Sequence, residues 1–405
     1  MNKKMKHIST LTLKNFRSLA FRSLLIAVGC IVFISCKSES VDLSSQVVQM
    51  VYTSDLHYGI SRTFRGQTAV DASLVNQEMV KQINSLPTVA FPADGGVNAG
   101  KVIGAVDYMI ITGDITNRQQ APSPSATTTW AQFNTDYLNG ITLKNKNNVQ
   151  PNFLFTCGNH EVSNAIGYYK TMTPAIDNAG MVNIYNYMLK PATPKTASTY
   201  NYATDKPNYS KDIAGVHMMF VTMWPDSANR VWMEKDLAAV ASTTPVVIFT
   251  HDQPDCESKH FTNPNGTHNI NSTDKFENMV EERFKDGTTV TPLSTIEQRG
   301  LVTFLKAHTN VKAYFHGNDN KNEFYTYKGP DSNISLNVFR VDSPMKGSVT
   351  GLDATDGKGD ETKLSFQVIA IDPSTKTLTV RECLWNTAGA ASKVSWGTNS
   401  TISLK

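Results

Sequence analysis

The chain has 405 residues, 40% of them hydrophobic and 18% charged, with a formal net charge of +3. Six of the 38 basic residues and none of the 35 acidic ones fall in the first 36, which leaves 32 basic against 35 acidic and a balance near −3 beyond them. This excludes a basic nucleic-acid-binding stripe as the main feature, and the apolar content excludes a disordered chain. Of five cysteines two lie in the leader; no disulfide framework can be read from the remaining three, and none forms a Cys-x-x-Cys zinc or haem motif.

Residues 1–36 read as a bacterial lipoprotein signal. Lys3, Lys4, Lys6, Lys14, Arg17 and Arg22 form a basic leader, and Ser23 to Ser35 is an apolar run too short for an ordinary spanning helix. Phe33-Ile34-Ser35-Cys36 resembles a lipobox, with Cys36 as the lipidated residue; Ala27-Val28-Gly29-Cys30 is a second candidate, and an uncleaved anchor the alternative. Residues 37–46 are a polar tether. The expected location is the bacterial cell envelope, lipid-anchored, at the periplasmic or outer surface.

From residue 47 onward, apolar runs repeatedly end in polar groups. Gln46–Tyr52 leads into Asp55-Leu56-His57, and Val106–Ile111 into Gly113-Asp114. Gln150–Cys157 leads into Gly158-Asn159-His160-Glu161, and Pro245–Thr250 into His251. Near-continuous apolar runs of this length predict strands buried on both faces. Open α/β sheets collect ligands at the carboxyl ends of such strands. Alternation along a strand puts Asp55 and His57 on one side. Glycine beside a donor lets backbones approach without a Cβ. Asp, His and Asn donors suit Mn, Fe, Zn or Mg, and Asp114 could bridge two ions roughly 3.5–4 Å apart, the spacing that clamps in-line displacement at phosphorus.

Between these strands, Asn76–Leu86 and Thr129–Leu138 predict helices, and Ala121–Thr129 and Gly357–Thr362 loops. Downstream, Leu336–Val341, Leu364–Asp372 and Thr377–Leu384 predict strands of a second sheet, the last two joined by a turn at Asp372–Lys376. Cys157 is expected in the core. The polar stretch Asp255–Ile296 follows His251 directly and is expected to overhang the site as substrate cover. Residues 391–405 read as a C-terminal tail.

In order and placement, Asp55-x-His57, Gly113-Asp114, Gly158-Asn159-His160-Glu161 and His251 together resemble the calcineurin-like metallophosphoesterases, which include the purple acid phosphatases. Trp224–Leu237 is similar to the family's stretch before the His strand, and the resemblance covers roughly residues 47–345 of a domain spanning 47–390. It implies an α/β fold, a four-layer α/β/β/α sandwich with two mixed β-sheets. It also implies metal-dependent hydrolysis of a phosphoric ester, monoester or diester, in a small-molecule or polymer substrate, by a hydroxide activated between two divalent ions. Asp55 and His57 would bind the first ion, Asp114 would bridge, and Asn159 and His251 would bind the second. His160 would be the acid outside the metal shell that assists the leaving group or holds the phosphate; Glu161, beside it in sequence, could orient it.

One departure stands out. The family's Gly-His-x-His is here Gly317-Asn318-Asp319-Asn320. Asparagine ligates only through a neutral carbonyl oxygen, which favours Mg, Ca or Mn over Zn. Asn318 and Asn320 are then weaker ligands, one or both ions are lost, or His316 or Asp319 takes their place. The alternative function is a catalytically impaired fold serving as a cell-surface binding lipoprotein.

Overall fold

Branched and aromatic runs form the strands, and their partners are set by which faces are apolar. The computed structural model describes residues 46–117, 124–162, 178–201, 204–255, 295–347 and 360–405. Asp42–Lys405 is one compact unit, and Met1–Val41, the other, lies outside the described residues, as does Cys36. The strands are Val48–Thr53 (β1), Ser61–Phe64 (β2), Gln67–Asp71 (β3), Tyr108–Ile111 (β4), Asn152–Phe155 (β5), Tyr209–Ile213 (β6), Val216–Phe220 (β7), Val246–Phe249 (β8), Val311–His316 (β9), Glu323–Tyr327 (β10), Leu336–Arg340 (β11), Ser365–Asp372 (β12), Thr377–Leu384 (β13) and Ser395–Ser403 (β14). The helices are Ala72–Ser85 (α1), Ala126–Phe133 (α2), Asn159–Val162 (α3), Ala179–Leu189 (α4), Ser227–Leu237 (α5) and Thr295–Ala307 (α6).

Two six-stranded sheets carry the fold, ordered β14-β13-β12-β1-β4-β5 and β10-β11-β9-β8-β7-β6. Both are mixed. In the first, β1, β4 and β5 run parallel while β12 to β14 are antiparallel; in the second, β7, β8, β9 and β11 run parallel between antiparallel β6 and β10. A small hairpin pairs β2 with β3.

Alternation divides each strand between two cores. Met50, Tyr52, Ile110 and Leu154 of the first sheet share an apolar cluster with Phe220, Val247, Phe249, Phe315 and Phe339 of the second, so the sheets face each other there. Tyr52 meets Phe249 and Phe315 edge-on, with ring centroids 5.7 and 5.6 Å apart. Along the second sheet, aromatic rings stack on directly paired positions: Tyr209 on Phe220 at 4.7 Å, Phe220 on Phe249 at 5.1 Å, Phe249 on Phe315 at 4.5 Å and Phe315 on Phe339 at 4.8 Å. Cross-strand aromatic pairs contribute about 0.5–1.5 kcal/mol each beyond their burial.

The opposite residues, among them Val51, Met109, Ile111, Phe155, Ile248 and Tyr314, belong to the cluster that takes in the helices. From α1, Val75, Met79 and Ile83 enter it at helical spacing; from α5, Met233 and Leu237; from α6, Leu301, Phe304 and Leu305. Burying each such side chain stabilises by about 1.5–3 kcal/mol. Start signals are local: the Asp71 carboxylate accepts from Ser73 N–H at 2.8 Å, the Ser125 hydroxyl from Thr128 N–H at 3.2 Å, and the Asp226 carboxylate from Asn229 N–H at 2.8 Å. Among the described residues no helix is long and apolar enough to cross a membrane.

Three expectations are corrected. Leu364–Asp372 and Thr377–Leu384 are strands, but they join the first sheet, where β12 lies antiparallel to β1; only β11 enters the second. Residues 391–405 are no tail, since β14 pairs along β13 and Leu404 is buried. The stretch 121–129 is not all loop: α2 begins at Ala126, capped by Ser125. Most of the cover segment, 256–294, lies outside the described residues.

Candidate metal centre

Five parallel strands, three from one sheet and two from the other, send their carboxyl ends to one place. Asp55 and His57 follow β1, Asp114 follows β4, Asn159 and His160 open α3 after β5, His251 follows β8, and Asn318 follows β9. Main-chain bonds stitch these ends together: Asp55 N–H to Gly113 O at 3.0 Å, His57 N–H to Asp114 O at 2.9 Å, Gly317 N–H to His251 O at 2.9 Å and, across the sheets, Met223 N–H to Cys157 O at 3.0 Å. Cys157 is buried, as expected of a core residue.

Three glycines make the approach feasible. A Cβ on Gly113 would lie 2.3 Å from the Gly158 nitrogen; one on Gly158, 2.3 Å from Asp114 Oδ1; one on Gly317, 2.1 Å from Ser54 Oγ and 2.3 Å from Asp55 Oδ2. The donor-bearing turns are themselves strained. Asp55, His57, Asp114, Asn318 and Asn320 adopt left-handed φ of 55°, 45°, 51°, 64° and 53°. Such backbone costs on the order of 1–3 kcal/mol per residue and persists where surrounding structure enforces it.

The donor atoms converge on Asp114. Its Oδ1 accepts from the main-chain N–H of His160 at 2.8 Å. Its Oδ2 faces three imidazoles: His57 Nε2 at 3.6 Å, His160 Nε2 at 3.7 Å and His251 Nε2 at 3.4 Å. His57 Nε2 is also 3.5 Å from Asp55 Oδ1, and His251 Nε2 is 3.0 Å from Asn159 Oδ1. Two sets, His57–Asp114–His160 and Asp55–Asp114–His251, have all their donor atoms within 4.8 Å of one another. All five of these residues are buried.

Ring partners turn the Nε2 atoms inward. His251 Nδ1 lies 2.7 Å from Thr112 O, which can only accept, so Nδ1 carries hydrogen. Nε2 faces the oxygens of Asp114 and Asn159, where a proton or a cation can sit between them. His57 Nδ1 is held in the same way by Asn117 Oδ1 at 3.0 Å. Asp55 Oδ1 and His57 Nε2 are buried without a hydrogen-bond partner. The His57 Nε2 lone pair and the Asp55 and Asp114 oxygens, opposed at 3.5–3.6 Å and too far for hydrogen bonds, repel one another unless a cation lies between them. The residues therefore fit divalent metal binding.

The charges at the centre act on one another in opposite senses. Burial pushes His57 below the ordinary imidazole range, with Lys346 adding to the effect; burial likewise pushes His160 down, the Asp114 carboxylate opposing and Lys346 assisting. Burial alone would raise Asp114, but His160 and His251 hold it well below the usual carboxylate range. Burial alone would lower His251, but the Asp114 and Asp55 carboxylates draw it well above its ordinary value.

Several positions differ from expectation. Glu161 does not orient the His160 ring. Its carboxylate accepts four main-chain N–H bonds, from Asp114 at 2.8 Å, Ile115 at 2.7 Å, Thr116 at 3.1 Å and Gly158 at 2.8 Å, and so clamps the Asp114 turn to the Gly158 turn. Burial and the Asp114 charge push it up to about 7. Both nitrogens of His316 are engaged elsewhere: Nδ1 lies 2.9 Å from Gly317 O and Nε2 3.0 Å from the Tyr325 hydroxyl. Asp319 is paired with Arg340 instead. Asn318 puts its main-chain N–H on Asp55 Oδ2 at 2.9 Å and its side-chain NH₂ on Gln253 Oε1 at 3.0 Å. The Asn320 NH₂ donates to Asn318 O at 2.8 Å, and its Oδ1 is buried without a hydrogen-bond partner.

Sequence reading passed over Asn117, Thr112, Gln253, Ser343 and Lys346. The Ser343 hydroxyl donates to Asp55 O at 2.7 Å and accepts from Lys346 N–H at 2.9 Å, tying the turn after β11 to the centre. Arg62 Nη1 supports that turn from below through Pro344 O and Gly347 O at 2.6 and 3.2 Å. Only Asn117, three residues after Asp114, carried a local signal.

The profile of the calcineurin-like phosphoesterases matches residues 50–331, and the chain belongs to that family. Among solved structures it is similar to a purple acid phosphatase from yellow lupin (Lupinus luteus) seeds, at 11% identity and TM-score 0.48, covering 89% of this chain and 54% of that one. A dimetal phosphatase from Danio rerio is similar at 8% identity and TM-score 0.43, covering 88% and 99%. The chain thus spans about half the length of the lupin protein. No curated protein matches it in sequence.

Proposed function

We propose that this chain hydrolyses a phosphoric ester, monoester or diester, with divalent metal ions held at the meeting of the two sheets. The observation that carries the reading is Asp114 Oδ2 with three imidazole Nε2 atoms gathered 3.4–3.7 Å around it. Asp55, His57, Asp114, Asn159 and His251 would hold two ions, drawn from Mn, Fe, Zn or Mg; Asn318 and Asn320 would add neutral amide oxygens at most. A bound divalent ion makes a water molecule acidic enough to ionise near neutral pH and neutralises charge growing on the phosphoryl oxygens.

The chain's own groups prepare the site for that chemistry. Thr112 O and Asn117 Oδ1 keep the His251 and His57 rings aimed inward. Glu161 holds the Asp114 and Gly158 turns together through four N–H bonds. Lys346 adds a positive charge close enough to bear on both His57 and His160, suited to an anionic phosphoryl group.

The experiment is hydrolysis of p-nitrophenyl phosphate and bis(p-nitrophenyl) phosphate by metal-stripped protein supplied with Mn, Mg, Zn or Fe. Turnover that depends on the ion and is lost in Asp114→Asn supports the reading. A protein that binds ions but turns over neither ester supports the second reading, a binding protein on the same fold, which is favoured by asparagines at 318 and 320. We place the chain at the envelope surface through lipid on Cys36. Loss of membrane association in Cys36→Ser supports that placement, and unchanged association contradicts it.

A further inference from the structure

Histidine donors at this centre are fewer than the family pattern supplies, and the chain holds one that the pattern does not count. Positions 318 and 320 offer no imidazole. The Asn318 NH₂ is on Gln253 and the Asn320 NH₂ on Asn318 O, while His316 turns to Tyr325 and Asp319 to Arg340. His160, in contrast, stands inside the donor group. Its Nε2 is 3.7 Å from Asp114 Oδ2, against 3.6 Å for His57 and 3.4 Å for His251. Its ring meets that of His57 edge-on with centroids 4.7 Å apart. It is 5% exposed, about as buried as Asn159 at 4%. Its main chain is pinned to the same carboxylate, through N–H to Asp114 Oδ1 at 2.8 Å.

We infer that His160 is a metal ligand in this chain, completing the set His57–Asp114–His160 in place of an imidazole absent from positions 318 and 320. The inference rests on the proposed metal-dependent reading and reassigns one residue within it. A proton donor outside the metal shell has to point its N–H at the departing oxygen of the substrate. Here Nε2 points at the carboxylate that the other two histidines share. A nitrogen donor there also restores borderline character to a site that asparagine oxygens alone would shift toward Mg or Ca.

Pulsed EPR of the Mn-loaded full chain, with ¹⁵N-histidine as control, counts coordinated imidazoles without altering the protein. Three, from His57, His160 and His251, are expected; two overturn the inference. Calorimetric Mn titration of His160→Phe, which keeps a ring in the buried position, is expected to show at least tenfold weaker binding or loss of one equivalent. Its residual hydrolysis should fall by the same factor for p-nitrophenyl and alkyl phosphates. Unchanged Mn binding, with a rate loss that grows as the leaving group becomes more basic, would mark His160 as the outer acid and overturn the inference alone. A wild-type chain that binds no Mn overturns the metal-dependent reading itself.

Discussion

Asp114 sends its two oxygens in different directions, and most of the chemistry follows from that division. Oδ1 is spent on the His160 main chain, and Oδ2 is left to three imidazole nitrogens. Because removal of an orienting partner typically weakens metal binding 10–100-fold, Asn117→Ala should loosen Mn by about that factor. His57 would then be free to rotate; equilibrium dialysis against Mn reads the loss, and unchanged affinity would show that His57 does not bind through Nε2. The double replacement Asn318→His with Asn320→His should tighten Mn binding, since imidazole is the stronger donor. Calorimetry that finds no gain would mean that these side chains do not face the ions.

Strands and loops have their own tests. Phe249 sits in the middle of the aromatic ladder, stacked on Phe220 and Phe315 and met edge-on by Tyr52, two residues before His251. Phe249→Ala should cost about 3–5 kcal/mol, read from urea unfolding. The loop before β4 is held to β13 by a bidentate pair, Arg381 Nε to Asp94 Oδ2 at 2.7 Å and Nη2 to Oδ1 at 2.8 Å, with the buried guanidinium also over the Phe91 ring. The Arg381 hydrogen bonds hold Asp94 below the usual carboxylate range. A carboxyl depressed on folding stabilises above its unfolded pKa and loses that contribution as pH falls through the folded value. Asp94→Asn should therefore cost on the order of 1.5–3 kcal/mol at neutral pH and progressively less in acid, so the two denaturation midpoints converge on acidification. A gap that stays constant would mean the pair carries no charge-dependent stability. At this scale the sequence was legible wherever a strand was buried on both faces. The apolar runs ending at Asp55, Asp114, Asn159 and His251 announced β1, β4, β5 and β8, and the glycines at 113, 158 and 317 announced close approach. Partner choice was not legible. β12 and β13 read as strands, yet nothing local says that β12 pairs with β1 rather than β11, because register is fixed by faces far apart in sequence. The amphipathic β14 and the short hairpin β2–β3 lacked continuous apolar runs. Thr112 O and the Ser343 turn act through main-chain geometry, which residue type does not encode.

As a whole, the chain sets three strand ends from one sheet against two from the other, so the centre exists only when both sheets are assembled. Neither sheet alone carries a full donor set: Asp55, Asp114 and Asn159 follow strands of the first, and His251 follows a strand of the second. Metal binding and global stability should therefore be linked. Excess Mn should raise the unfolding midpoint of the wild type by an amount that grows with ion concentration, and should leave Asp114→Asn unmoved. The most direct check of the shared centre is anomalous diffraction from crystals soaked in Mn. The predicted result is anomalous density roughly 2.0–2.2 Å from Asp114 Oδ2 and from at least one of the three Nε2 atoms. Crystals showing no peak there, with the imidazoles hydrogen-bonded to water and Asp114 bridged only by protons, would contradict it.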